Sequence, residues 1–299
     1  MPADSPQVET ISAPSPGPTV AILGGVHGDE YEGVIAARWL LAHLRTRLIK
    51  GTIRVAAPAH RAAWDTTTRE SPIDGKNLAR VFPGSPDGTA TDVVAHELTE
   101  RVIAGADLLI DLHSAGTNYE MPFLCGFQDD GGTISKKSQH FAQLFRAAFT
   151  WRHSGRPAPG RSLSIAYDLN IPAIYTEGGG GRSVRHRELL GYTDGVQRVL
   201  QSLSMVETAP PGNNVSRHVI GDGNTDAGIT APTTGYLVMH VETGERCEQD
   251  QVLADITDQN GALLCRMTAP TDGYLMMRRR EARVLAGDTV LIFAAKDEQ

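Results

Sequence analysis

From Pro18 to about Ser202 the chain alternates short apolar runs with stretches whose apolar residues recur at helical spacing, the signature of a layered α/β fold with a largely parallel sheet. Residues 19–23 read as a strand. Val34, Ala37, Leu40, Leu41, Leu44 and Leu48 then share one helical face, and Gly51 follows as a stop. The same reading assigns strands to residues 52–57, 107–111 and 171–176, and helices to residues 93–103, 141–149 and 187–203. Pro172 falls near the start of its strand, where the missing donor costs least.

Beyond about Glu207 the helical periodicity gives way to short β-prone segments with Gly and Asp turns, after a turn-rich linker at residues 209–214. This part repeats itself: Ala231-Pro-Thr-Thr-Gly-Tyr-Leu237 is echoed by Ala269-Pro-Thr-Asp-Gly-Tyr-Leu275. A two-copy repeat of this length predicts a small pseudo-symmetric β-barrel or sandwich of two interlocking halves, with Tyr236 and Tyr274 packed inside it. The phrase resembles the biotinyl/lipoyl-like fold. Residues 238–245 and 276–282, where a carrier lysine would sit at a hairpin tip, contain none, so a structural or gating role is expected in place of acyl carriage. The organisation expected is an N-terminal tail at residues 1–17, a catalytic domain at 18–206 and a β domain at 207–299. The tail is either frayed or an edge strand.

Composition narrows the function classes. A net charge of -7 argues against a non-specific nucleic-acid binder, which needs clustered cations. The run Arg278-Arg279-Arg280 ends in Glu281 and reads as a solvated hairpin. Cys125, Cys247 and Cys265 are scattered and lack CxxC spacing, which fits a reduced compartment and excludes a Cys-rich zinc site. Residues 1–18 have no basic segment followed by an apolar core, and no apolar run elsewhere is long enough to span a bilayer. The expectation is a cytoplasmic protein with no membrane partner.

The chemistry starts at Gly24-Gly-Val-His27-Gly-Asp-Glu30, directly after the first strand. His27 and Glu30 offer an imidazole nitrogen and a carboxylate oxygen, both suited to zinc, although the pair alone is equally at home in a solvated loop. His113 follows the strand at 107–111, and Glu177 follows the strand at 171–176 and precedes four glycines. In open α/β sheets the ligand crevice lies at the carboxyl ends of the strands, so the four residues converge there. Taken singly, His113 reads as a core histidine bonded to Asp111, and Glu177 as a turn acid. Taken together they point to metal-assisted hydrolysis: His27, Glu30 and His113 as ligands of one zinc ion with a position left for water, Glu177 as general base, and Asp111 as a partner that orients an imidazole.

The motifs around His27, Arg69-Glu-Ser-Pro-Ile-Asp-Gly-Lys-Asn77-Leu-Ala-Arg80-Val-Phe-Pro-Gly84, Asp111-Leu-His113-Ser-Ala-Gly116 and Thr176-Glu177-Gly-Gly match in order and approximate spacing those of a known family. The sequence resembles the succinylglutamate desuccinylase/aspartoacylase group of zinc-carboxypeptidase-like hydrolases over nearly its whole length. The resemblance implies a mixed sheet flanked by helices with a smaller all-β C-terminal domain, and zinc bound by His27, Glu30 and His113. It further implies that Glu177 activates water, that Arg80 grips a substrate carboxylate and that Arg69 polarises the scissile carbonyl. The family usually reads Asn-Leu-Asn-Arg where this chain has Asn77-Leu-Ala79-Arg80, which puts a standard carboxylate anchor in doubt; Asn77 either takes over substrate binding or caps a turn.

The function expected is a zinc-dependent amidohydrolase that removes the acyl group from a small N-acyl amino acid. Oligomerisation is expected only by analogy with the family. A peptide-cleaving metallocarboxypeptidase would use the same metal and base but need an open groove. A non-catalytic zinc or ligand-binding protein would bind metal without turnover.

Overall fold

The computed structural model describes residues 5–212 and 215–297. Readings made for residues 1–4, 213, 214, 298 and 299, at the ends and in the linker, lie outside the described residues. Strands Val8–Ser12 (β1) and Ser15–Gly24 (β2) lead to helix Tyr31–Leu44 (α1), strand Lys50–Ala56 (β3) and the short helix Arg61–Thr66 (α2). Helix Ala90–Leu98 (α3) runs into a π-turn at Thr99–Ile103 and then strand Leu108–Leu112 (β4). Tyr119–Asp129 (β5), Thr133–Phe145 (α4), Phe149–Ser154 (β6), Ser162–Asp168 (α5), Ala173–Gly180 (β7) and His186–Ser202 (α6) follow. The rest is mainly strand: Arg217–Ile220 (β8), Ile229–Thr230 (β9), Gly235–Met239 (β10), Arg246–Cys247 (β11), Val252–Thr257 (β12), Leu263–Thr268 (β13), Gly273–Arg279 (β14), Arg283–Val284 (β15) and Thr289–Lys296 (β16).

The large sheet has the order β1-β3-β2-β4-β7-β5-β6-β8-β16-β14-β11 and is mixed. Its centre, β3, β2, β4 and β7, is parallel, while β1 runs antiparallel to β3, and β5 antiparallel to β7 but parallel to β6. Val20, Ala21, Ile22 and Leu23 are fully buried because both faces of β2 are covered, which is why that strand reads as an unbroken apolar run. Ile22 joins a core with Leu40 of α1, Phe145 of α4 and Val196 of α6. Ala21 and Leu23 face the opposite core, with Val94 and Leu98 of α3 and Ala166 of α5.

Of the two alternatives for the N-terminal segment, Val8–Ser12 takes the edge strand, paired antiparallel with β3. Other expectations need correction. The helix read at 141–149 ends at Phe145 because Arg146 turns left-handed, at φ 57, and Phe149 opens β6. Beyond residue 207 the four-stranded sheet β13-β12-β10-β15 is wholly its own, while β8 lies parallel beside β6 and β14 pairs with β5, so strands of both halves share the large sheet. Arg278 and Arg280 are not a solvated hairpin, since both turn onto Glu120 of β5, Arg278 Nη2 donating to Glu120 Oε2 at 2.8 Å. That acceptor lies 158 residues away in sequence, so local charge patterning could not reveal it.

The repeat is visible in space. Ala231 and Ala269, and Leu237 and Leu275, are equivalent residues of the two copies, and all four are buried in one core between the large sheet and the four-stranded sheet β13-β12-β10-β15. Tyr274 packs edge-on to Phe149, whereas Tyr236 is 40% exposed and does not fill the interior.

Candidate metal centre and active-site cavity

The turn from His27 to Glu30 leaves β2 at its carboxyl end and is pressed against α2. A Cβ on Gly28 would lie 2.0 Å from the carbonyl carbon of Ala63, so only glycine fits there, and the Gly28 amide donates to Thr68 O at 2.9 Å. Asp29 faces the other way and accepts from the Thr117 amide at 2.8 Å, which ties the turn to the loop after β4. Between these anchors His27 and Glu30 point inward and are buried.

Glu30 joins the two histidines. Its Oε1 lies 2.6 Å from His27 Nδ1, and its Oε2 lies 2.9 Å from His113 Nδ1. Ligand atoms of these three residues all fall within 4.8 Å of one another. The far nitrogens are engaged elsewhere: His27 Nε2 is 3.0 Å from Asn77 Oδ1, and His113 Nε2 is 3.2 Å from Asp111 Oδ2. Because a neutral imidazole has one N–H, donating it from Nε2 leaves the Nδ1 lone pair facing the cluster. Two imidazole nitrogens and a carboxylate oxygen, buried and so oriented, make a donor set that suits a catalytic zinc. Ser162 Oγ donates to Asp111 Oδ2 and holds that carboxylate in place.

The electrostatics follow from this packing. Burial opposes charge on Glu30, but the imidazoles of His27 and His113 outweigh it and hold the carboxyl well below its ordinary value. Burial likewise opposes charge on His113, and the carboxylates of Asp111 and Glu30 overcome it and raise its pKa. His27 is lowered, by burial and then by the Arg69 charge. Glu177 moves the other way: burial and the nearby Glu30 charge push it up to about 8. Its Oε2 is buried with no hydrogen-bond partner, an arrangement native proteins keep rare.

A cavity of about 440 Å³ opens from this cluster and is lined by His27, His113, Glu177, Arg69 and Arg80 among others. Arg69 Nη1 stands 3.2 Å from Glu30 Oε1. Arg80 donates from Nε and Nη2 to Asp226 Oδ2, at 3.2 and 2.9 Å. The structure does not bring Asn77 into the lining. Its Oδ1 accepts from His27 Nε2 and, at 2.9 Å, from the Ala79 amide, so the side chain both supports a ligand and caps the short turn Leu78–Arg80. Glu177 belongs to β7 itself, not to the loop after it, because Glu177 to Gly180 continue pairing with β5.

Sequence reasoning missed Arg161, His153, Tyr175 and the loop at residues 221–225, all of which line the cavity. Arg161 precedes α5 in no recognisable motif. His153 Nδ1 donates to Gly221 O at 2.7 Å, so its Nε2 accepts from the Tyr175 hydroxyl, also at 2.7 Å. These contacts join β6, β7 and the loop after β8, and a sequence pattern carries no signal for them.

Known proteins are similar to this chain throughout. Residues 16–203 match the succinylglutamate desuccinylase/aspartoacylase catalytic domain. The chain is 28% identical over 281 residues to the N-alpha-acetyl-L-2,4-diaminobutyric acid deacetylase of Halomonas elongata, covering 93% of this chain and 82% of that protein. It superposes on a succinylglutamate desuccinylase/aspartoacylase from Rhodobacter sphaeroides with a TM-score of 0.88 at 26% identity, over 98% of this chain and 89% of that one. The product-bound ectoine utilization protein EutE (DoeB) of Ruegeria pomeroyi shares the fold, with a TM-score of 0.88 at 22% identity over 98% and 93% of the two chains. With His27, Glu30, His113 and Glu177 all inside the matched region, this protein belongs to the succinylglutamate desuccinylase/aspartoacylase family.

Proposed function

We propose that the chain is a zinc-dependent amidohydrolase that removes an acyl group, acetyl by the similarity to the Halomonas elongata deacetylase, from an N-acyl amino acid. The observation that carries the reading is the unpartnered, buried Glu177 carboxyl in the same cavity as the His27, Glu30 and His113 cluster. Zinc held by those three residues would supply Lewis acidity, polarising the acyl carbonyl and making water more acidic.

The chain's own groups do the rest. Glu177, whose charged form a cation at the neighbouring cluster would favour against its burial, acts as a carboxylate. It takes the proton of the attacking water and passes it to the leaving nitrogen, releasing a carboxylate and an amine. Arg69, beside Glu30, faces the carbonyl oxygen and shares its developing negative charge. Arg80 and Arg161 orient the substrate carboxylate. Burial and then the Arg80 charge lower the Arg161 pKa and outweigh the nearby Asp226 and Asp222 charges, so a substrate carboxylate beside it would be favoured. Asn77 acts in this scheme on His27 and not on the substrate.

Residues 221–225, beyond the matched catalytic region, also line the cavity, and their presence there supports a small amide over the open groove a metallocarboxypeptidase needs. We read the C-terminal β unit as a biotinyl/lipoyl-like barrel-sandwich that closes the site, with residues 18–206 as the catalytic unit. Cys125, Cys247 and Cys265 are unbridged, which supports a cytoplasmic setting. No helix among the described residues is long and apolar enough to cross a membrane.

The test is a hydrolysis screen of N-acetyl, N-succinyl and N-formyl amino acids with zinc-loaded protein, before and after chelation. Turnover that chelation abolishes and zinc restores is the expected result. Turnover indifferent to chelation refutes the metal mechanism, and bound zinc without turnover across the panel favours a binding protein.

A further inference from the structure

The charged groups of the cavity wall fall into two sets, those already neutralised and those left open. Among its cations, Arg69 meets Glu30, Arg80 meets Asp226, and Arg156 meets Asp168 at 2.7 Å. Arg161 makes no ion pair among the described residues; it donates to the neutral Asn224 Oδ1 at 3.0 Å and feels the Asp226 and Asp222 charges from further off. Among the anions, Asp111 is taken by Ser162 and His113, and Glu177 faces the metal cluster. Asp222 remains. Its Oδ1 accepts the Asn224 amide at 2.8 Å, and among the described residues it has no ion-pair partner.

Asp222 is exposed, yet its backbone is held on both sides. Gly221 O accepts from His153 Nδ1 at 2.7 Å, and a Cβ on Gly223 would lie 2.7 Å from His153 Cε1 and 3.2 Å from the Tyr175 hydroxyl. The loop therefore sits directly on the buried His153 and Tyr175 floor, and Asn224 is clasped by Arg161. One open cation and one open carboxylate line the same cavity, a dipolar pattern that complements a ligand carrying both a carboxylate and an ammonium.

We propose that Asp222 is a specificity-determining residue that receives the free side-chain ammonium of an N-acyl diamino acid while Arg161 and Arg80 take its carboxylate. The proposal rests on the hydrolase reading above. It accounts for a cavity of about 440 Å³, far more than an acetyl group needs, whose lining includes an exposed acid, Asp222, with no ion pair among the described residues.

The experiment compares N-α-acetyl-2,4-diaminobutyrate with N-acetylnorvaline, which has the same side-chain length and a methyl group where the other has its ammonium. The selectivity ratio, kcat/KM for the first over the second, is measured for the wild type and for Asp222→Asn. A ratio above one that falls by about 10- to 100-fold in the variant, mainly through KM, is expected for loss of one charge-assisted contact. An unchanged ratio overturns the proposal, and so does an equal loss on both compounds, which would mark a merely structural role. Calorimetric binding of both compounds to Glu177→Gln, with and without Asp222→Asn, reads the same preference without turnover. A binding preference that depends on Asp222, in a wild type that hydrolyses neither compound, upholds the subsite and refutes the hydrolase. Hydrolysis with no such preference upholds the hydrolase and refutes the subsite.

Discussion

Replacing Asn77 with alanine separates a residue that positions a metal ligand from one that only caps a turn. In the structure Asn77 Oδ1 accepts from both His27 Nε2 and the Ala79 amide, at 3.0 and 2.9 Å. Alanine removes the single oxygen that accepts both hydrogen bonds, each worth about 1 kcal/mol net, and leaves a ring nitrogen of the buried His27 without this partner. The metal-free protein should lose about 2–3 kcal/mol, a fall in Tm of about 3–5 °C for a chain of this size. The freed imidazole also loses the contact that directs its Nδ1 toward Glu30, and partners of this kind are worth about 10- to 100-fold in metal affinity. Zinc affinity, measured by chelator competition near neutral pH, should therefore weaken by that factor. Asn77→Asp keeps an oxygen acceptor for both donors and should retain affinity within about threefold. If the alanine variant binds zinc as tightly as the wild type while its Tm falls, Asn77 is a turn cap and its assignment as a positioning residue is wrong.

Three further outcomes follow from the same geometry. Glu177→Gln should lower kcat by about 10³-fold while leaving zinc binding in place, as read by steady-state kinetics beside metal content; near-full activity would remove Glu177 as the base. Burial pushes His153 down to about 4 from 6.5, so the unfolded chain takes up a proton that the folded chain refuses. Stability should accordingly fall as pH drops from 6.5 toward 4, by about 2–3 kcal/mol at pH ~4.5, and denaturant titrations should show this dependence reduced in His153→Gln. Gly179 has φ +57, and a Cβ there would stand 2.7 Å from both Glu32 Oε1 and Glu188 Oε2. Gly179→Ala should therefore destabilise the protein by about 2 kcal/mol or more and lower activity with it, because the strain falls two residues from Glu177; a variant as stable and active as the wild type would contradict this.

The sequence by itself determined the parts that depend on local pattern. Doubly covered strands such as β2 must be apolar throughout, so they announce themselves, and His27 and His113, placed just after such strands, inherit that legibility. The repeat at Ala231 and Ala269 was equally readable, because two copies that bury the same residues must keep the same residues. Arg146, by contrast, ends α4 through a left-handed turn that no glycine advertises. Only the tertiary structure decided what depends on distance along the chain. Asn77 meets His27 across 50 residues, Ser162 meets Asp111 across 51, and Arg80 meets Asp226 across 146. Such contacts leave no periodicity, since a hydrogen bond requires two groups to meet and not any spacing between them. The candidate metal cluster was therefore legible in the chain, while the supports behind it and the cavity wall beside it exist only once β6, β7 and the loop after β8 have packed together.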